Sequence, residues 1–223
     1  MAVSIAIDGP AGAGKSTIAK LVAAKLGFIY VDTGAMYRAM ALYFLENGIQ
    51  PEDEEKVSAA CGQIDISLRY QDGVQQVILN GRDVSGKIRT EAVGNAASVV
   101  SAYRAVRQAL LALQQNLAKT SNVIMDGRDI GTCVLPNAQT KIYLTASSHV
   151  RAIRRYKELT EKGQMCNLEE IEQDIIDRDY RDMHREIAPL TQAADAVLLD
   201  SSEMTIDQVV DGIIGAARER GLA

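Results

Sequence analysis

The chain has no tryptophan, two phenylalanines, four prolines, two histidines and three cysteines among 223 residues. Each scarcity removes a class of protein. Without tryptophan there is no basic stripe interleaved with large aromatics, the platform on which single-stranded nucleic acid stacks. His149 and His184 alone do not make a histidine-built metal site. Cys61, Cys133 and Cys166 are odd in number and widely spaced with no CxxC, which speaks against a disulfide frame or a zinc knuckle. No apolar run approaches the ~20 residues of a membrane span, and Met1 to Ile7 lacks the basic start and long apolar core of a secretory signal. A soluble, cytoplasmic protein with no membrane partner is expected. The 24 basic against 29 acidic residues leave a net charge of −5, so no nucleic-acid partner is expected either.

What is present is the composition of a globular domain, 47% hydrophobic and 24% charged. Five short apolar runs, Val3 to Ile7, Phe28 to Val31, Val123 to Met125, Ile142 to Leu144 and Ala196 to Leu199, alternate with longer amphipathic stretches. That alternation predicts a five-stranded parallel sheet covered by helices, an α/β fold. Val106, Leu110, Leu113 and Leu117 form one helical stripe, and Ile206, Val209, Val210, Ile213 and Ile214 another. Thr205 with Gln208 reads as a capping box, and Asn167 with Glu170 as a similar start for a helix carrying Leu168, Ile171 and Ile175. Between residues 64 and 85 the pattern changes: β-prone runs flank Gln71-Asp72-Gly73, and Asn80-Gly81 follows, which predicts a small antiparallel insertion. No repeat or linker divides the chain, so one domain is expected.

Gly9-Pro10-Ala11-Gly12-Ala13-Gly14-Lys15-Ser16 satisfies GxxxxGK[ST] between a predicted strand and a predicted helix. The glycines let backbone N–H groups face a polyphosphate, with the positive end of the following helix behind them. Lys15 would reach the β- and γ-phosphates and the Ser16 hydroxyl would ligate Mg²⁺. An Asn-Lys-x-Asp guanine-reading segment is absent, and the chain is short for a motor ATPase, so a small kinase fits best. Such an enzyme needs arginines, whose planar forks bind phosphate. Fifteen of the 24 basic residues are arginine.

Two of these arginines follow strand ends, where ligands of open α/β sheets gather: Arg38 after Asp32-Thr33-Gly34, and Arg128 within Asp126-Gly127-Arg128-Asp129. Others share helix faces: Arg151, Arg154, Arg155 and Glu158 on one, Arg178, Arg181, Asp182 and Arg185 on the next. An ATP-clamping lid explains the first face and ligand binding the second; solvated ion pairing is the alternative for both. Asp32 and Asp126 are further candidates for holding Mg²⁺ through water.

The segments IDGPAGAGKST (Ile7 to Thr17), DTGAMYR (Asp32 to Arg38), LNGRDVSGKIRT (Leu79 to Thr90), NAAS (Asn95 to Ser98), MDGRDIGT (Met125 to Thr132) and APLTQAADAVLLDS (Ala188 to Ser201) resemble bacterial cytidylate kinases over nearly the whole chain. The resemblance implies a P-loop kinase core (residues 1–33, 120–147 and 188–223), a monophosphate-binding part (34–119) and a helical lid (148–187). It implies phosphorylation of CMP and dCMP by ATP with Mg²⁺, in a monomer. Gly9 to Thr17 would hold ATP, with Arg151, Arg154 and Arg155 closing over it. Thr33, Arg38, Arg128, Arg178 and Arg185 would surround the acceptor phosphate, Asp182 the sugar, and Ser98, Arg107 and Asp129 the cytosine edge. Lys15, Arg128, Arg178 and Arg185 would be catalytic. Asp129 is chemically apt, since a carboxylate accepts from cytosine's exocyclic amine and would reject a uracil carbonyl. Another acceptor, such as UMP, a different nucleoside monophosphate or a shikimate-like hydroxyl acid, is the alternative.

Overall fold

A computed structural model of the chain describes residues 2–71 and 73–222. In chain order the elements are β1 (Ser4–Asp8), α1 (Lys15–Leu26), β2 (Ile29–Asp32), α2 (Thr33–Glu46) and α3 (Glu54–Ala60). After a 3₁₀ turn at Cys61–Gln63 come β3 (Ile66–Gln71), β4 (Val74–Leu79), β5 (Arg82–Asp83), α4 (Glu91–Val100) and α5 (Arg104–Thr120). β6 (Val123–Gly127) leads through a π-helical turn, Ile130–Val134, to β7 (Thr140–Thr145), α6 (Ser148–Glu161), α7 (Leu168–His184), β8 (Val197–Asp200) and α8 (Ile206–Glu219).

All five apolar runs become strands of one sheet, ordered β2-β6-β1-β7-β8. β1 pairs in parallel with β7 (Ile7 opposite Ile142), and β7 with β8 (Leu144 opposite Leu199). The predicted antiparallel insertion is a separate sheet, β3-β4-β5. Gln71 pairs with Val74 across its first turn; Asp72 of the Asp-Gly signal lies outside the described residues. The second turn has Asn80 at φ 47° and Gly81 at φ 79°, the doubly positive pair that a type I′ hairpin turn needs and that Asn-Gly supplies at little steric cost.

The chain divides into two compact units, one built mainly of Ile29–Val123 and the other of Val3–Phe28 with Ile124–Ala223. In the first, Met36, Met40 and Phe44 on α2, Val93 and Val100 on α4, and Val106 and Leu110 on α5 share one core with Val77 and Leu79 of the insertion. Thr90 accepts from the Val93 N–H to start α4, and Asp53 caps α3 likewise. In the second, Ile5, Ile7, Ile124, Met125, Ile142 and Leu144 are fully buried strand residues. α8 lays down Val209, Val210, Ile213 and Ile214 as its buried stripe, while Ile206 stays exposed. The Thr205/Gln208 capping box forms, and Asn167 caps α7 through the N–H groups of Glu169 and Glu170. Among the described residues no helix is long and apolar enough to cross a membrane.

Candidate active site

In the second unit, β1 ends at Asp8 and the chain turns through the glycine-rich loop into α1. Gly9 has φ 149°, and a Cβ there would lie 1.9 Å from the Leu144 carbonyl oxygen, so no side chain can occupy the position. Gly14, the N-cap of α1, is left-handed at φ 85° and supplies no side-chain cap. The first N–H groups of α1 therefore face outward from a capless, positively polarised helix end. Lys15 is buried and donates to the Pro10 carbonyl at 2.7 Å. Burial first, and then Arg128, push its ammonium well below the ordinary lysine range, against the pull of Asp126, Asp8 and Asp182. The Ser16 hydroxyl donates to Asp126 Oδ2 at 2.8 Å, so the residue foreseen for Mg²⁺ and one of its two carboxylate candidates are in contact. The other candidate, Asp32, lies in the first unit and caps α2 by accepting from the Ala35 N–H at 2.9 Å.

The end of β6 carries Arg128 and Asp129 into the π-helical turn. Arg128 Nε donates to Asp182 Oδ2 on α7 at 2.8 Å. Burial opposes the Arg128 charge, but Asp182, Asp126 and Asp179 together outweigh it and the guanidinium pKa is raised. Burial likewise opposes the Asp182 carboxylate, yet Arg128, Arg178 and Arg185 hold it below the ordinary aspartate range. Arg185 Nη2 reaches Asp129 Oδ1 at 3.3 Å while its Nε donates to the Ala188 carbonyl at 2.7 Å. Arg128, Asp129, Arg178, Asp182 and Arg185 thus form one electrostatically connected group, whereas Arg181, from the same predicted face, is exposed.

The three arginines of α6 part company. Arg151 is buried and bonded to the Ala11 and Ala146 carbonyls and to Asp179. Arg154 donates to Ser201, with its Nη2 2.8 Å from the backbone oxygen. Arg155 is exposed and pairs with Glu158 at 3.0 Å.

In the first unit, Thr33 is buried at the start of α2, and Arg38 lies just over a turn on. A Cβ on Gly34 would stand 3.7 Å from Arg38 Nη1. Arg107 on α5 donates to the Ser101 carbonyl at 3.2 Å and sits 5.7 Å over the Tyr37 ring. Ser98 occupies α4, its carbonyl accepting from the Ser101 hydroxyl.

Several residues here escaped the sequence reading. Asp8 accepts from the Ile130 and Gly131 N–H groups at 2.7 Å each, tying β1 to the Arg128–Asp129 turn. A Cβ on Gly131 would press to 3.3 Å from Asp8 Oδ2 and 3.1 Å from Lys141 Cδ. The strand-end rule that singled out Asp32 and Asp126 applies equally to Asp8. Arg89 donates to Asp32 Oδ2 at 2.7 Å, and Gln75 brackets the Asp32 backbone through its N–H and C=O; neither has a local signal, because both come from distant segments. The same is true of Asp179.

A family model described as cytidylate kinase matches residues 5–219, from β1 to the end of α8. This chain belongs to the cytidylate kinase family. A cytidylate kinase of Caldicellulosiruptor bescii is 50% identical over 212 residues, 95% of this chain and 94% of its own. One of Leuconostoc mesenteroides is 52% identical over 206 residues, 92% of each. The crystal structure of an uncharacterised protein from Eubacterium ventriosum shares the fold at TM-score 0.53 and 10% identity, covering 97% of this chain and 98% of that one. Family membership therefore takes in both compact units and the antiparallel insertion.

Proposed function

We propose that this protein transfers the γ-phosphoryl group of ATP to CMP and dCMP, giving CDP and dCDP. What carries the reading is the family match running from the first strand to the last helix with the GxxxxGKS loop intact. Residues Gly9 to Thr17 hold ATP: the loop N–H groups and the start of α1 receive its phosphates, and Lys15 turns from the Pro10 carbonyl to the β- and γ-oxygens. A phosphate there would favour the ammonium form of Lys15, which burial and Arg128 disfavour.

The Ser16 hydroxyl and Asp126 carboxylate are hard oxygen donors in mutual contact, which suits Mg²⁺, an ion held by one or two protein oxygens with phosphates completing its shell. Mg²⁺ bound there would neutralise phosphate charge. On the acceptor side, Thr33, Arg38, Arg128, Arg178 and Arg185 bind the CMP phosphate. Asp182 binds the sugar, and Ser98, Arg107 and Asp129 read cytosine. Transfer is in line, and Lys15, Arg128, Arg178 and Arg185 stabilise the charge spread over the moving phosphoryl group. Residues 1–33, 120–147 and 188–223 act as the core of one kinase domain, 34–119 as the monophosphate-binding part, and 148–187 as a lid whose Arg154 and Arg155 turn toward ATP. The protein acts as a cytoplasmic monomer on free nucleotides.

A coupled assay of ADP release over CMP, dCMP, UMP and AMP, at fixed ATP and Mg²⁺, tests this. Turnover of CMP and dCMP well above UMP and AMP is expected. Equal rates on UMP and CMP would remove the base-reading role of Asp129, and no ADP release with any acceptor would remove the kinase reading.

A further inference from the structure

A phosphate-binding loop works by turning its N–H groups inward, and this requires its carbonyl groups to turn outward. An outward carbonyl that leaves water needs a donor. At Ala11 the donor is Arg151 Nη1, 2.8 Å from the carbonyl oxygen. The stem of the same side chain packs on the loop: a Cβ built on Gly12, at φ +75°, would lie 3.4 Å from Arg151 Cβ. The rest of the guanidinium is fixed from two sides, Nε donating to the Ala146 carbonyl at 2.9 Å at the end of β7 and Nη2 to Asp179 Oδ2 at 2.6 Å on α7. Asp179 Oδ1 has no hydrogen-bond partner among the described residues, so within them this carboxylate accepts from Arg151 alone. Arg151 and Asp179 are both at least nine-tenths buried. All these residues belong to the second unit.

We propose that Arg151, clamped by Asp179, is a positioning residue for the phosphate loop: it holds the Ala11 carbonyl outward so that the loop is shaped for the donor phosphates before ATP arrives. The inference rests on the ATP-binding role given to the loop above, and it differs from direct contact with ATP by this arginine. Each nitrogen of the guanidinium already has a protein acceptor, in contrast to Arg155 on the same helix. An arginine is suited to this because its rigid fork meets three acceptors in fixed directions, which a lysine ammonium on a flexible stem does not.

The two roles predict opposite behaviour when Asp179 is altered. A brace loses its alignment in Asp179→Asn, whereas an arginine that grips ATP directly is released to do so. ATP affinity is measured by calorimetry without acceptor, and KM for ATP and for CMP by coupled assay, in wild type, Asp179→Asn, Arg151→Ala and the double variant. The expected result is about tenfold weaker ATP binding in Asp179→Asn, at least as much in Arg151→Ala, and no further loss in the double variant, since the two residues act as one unit. KM for CMP should move by less than about twofold. ATP affinity in Asp179→Asn equal to or tighter than wild type overturns the proposal, as does equal weakening toward CMP. If Asp179→Asn does not melt cooperatively, Arg151→Lys replaces it: about fivefold weaker ATP binding supports the brace, and unchanged affinity overturns it. A wild type that binds ATP and phosphorylates CMP while the variants match it removes only the brace. A wild type that does neither removes the kinase reading beneath it.

Discussion

The ion pairs around α7 and the surface pairs of the first unit join the same kinds of charge, cation to carboxylate, in opposite settings. In the second unit Arg128–Asp182, Arg151–Asp179 and Arg185–Asp129 are largely withdrawn from water. In the first, Arg82–Glu46 and Lys56–Asp53 lie at the surface. Exposed pairs are screened and add little to stability. Buried pairs give up hydration that their attraction only partly returns, so a hydrophobic set of similar volume would often be as stable. A fold that keeps three of them in one region, beside a buried lysine, is holding charge ready for something other than its own stability. The net charge of −5 conceals this, because a sum does not record which charges are buried.

The sharpest way to break the comparison is at Lys15. In the proposed reaction Lys15→Ala removes a cation that stabilises the transferred phosphoryl group, and kcat should fall by about 10³ or more, as for other single charge-stabilising groups in phosphoryl transfer. The fold should survive, because the variant also removes a buried charge whose pKa is already depressed. Single-turnover rates with CMP, accompanied by thermal melts, check both halves. Normal turnover would mean that the loop is not the donor site.

Asp8 gives the next effect, and here stability and function should move in opposite directions. Burial raises the Asp8 pKa to about 6, against the hydrogen bonds from Gly131 and Ile130 that favour its charge. The folded state therefore binds the proton more tightly than the unfolded chain. This group's contribution to stability is complete below pH ~4 and is lost as pH rises through ~6, by up to about 3 kcal/mol. Asp8→Asn cannot titrate, so its stability relative to wild type should increase by an amount of that order between pH 4 and pH 7, read from urea unfolding. Its activity should fall about tenfold or more, because an amide offers one acceptor oxygen where two N–H groups need one each. A parallel pH dependence in the two proteins would mean that Asp8 does not change protonation in this range.

The two regions also differ in how far the sequence revealed them. The sheet was legible because its strands read as short continuous apolar runs, including β8, which is largely exposed, and the insertion because Asn80-Gly81 is local turn chemistry. Thr205 with Gln208 and Asn167 announced their helices for the same reason: a cap is a contact between near neighbours. The phosphate loop was legible because its function is carried by backbone geometry, which fixes glycines at set spacing. Helical periodicity placed Arg178, Asp182 and Arg185 together correctly but added Arg181, which is exposed. It treated Arg151 and Arg155 as equivalents although one is buried and the other is not. Periodicity gives the face of a helix, while the partner that decides a charge's role lies far along the chain: Asp179 for Arg151, the 128–131 turn for Asp8, Gln75 and Arg89 for Asp32. Three nearby residues of one stretch, Asp177, Asp179 and Asp182, have one pattern and different environments, which only the fold separates.

The smallest expected effect closes the comparison from its other side. Arg82 and Glu46 form a direct ion pair joining β5 to the end of α2, with side chains 48% and 35% exposed. If exposure governs the worth of a pair in this molecule, Arg82→Ala should cost under about 1 kcal/mol, and raising salt from 0.05 to 0.5 M should reduce that difference further. Leu110→Ala in the same unit, a fully buried residue, should cost about 3 kcal/mol and be insensitive to salt. Urea unfolding of the two variants at both salt concentrations separates the terms. A loss at Arg82 as large as that at Leu110 would show that the insertion is anchored by charge rather than by Val77 and Leu79 in the core, and the division between stabilising apolar contacts and functionally held charge would have to be redrawn for the first unit.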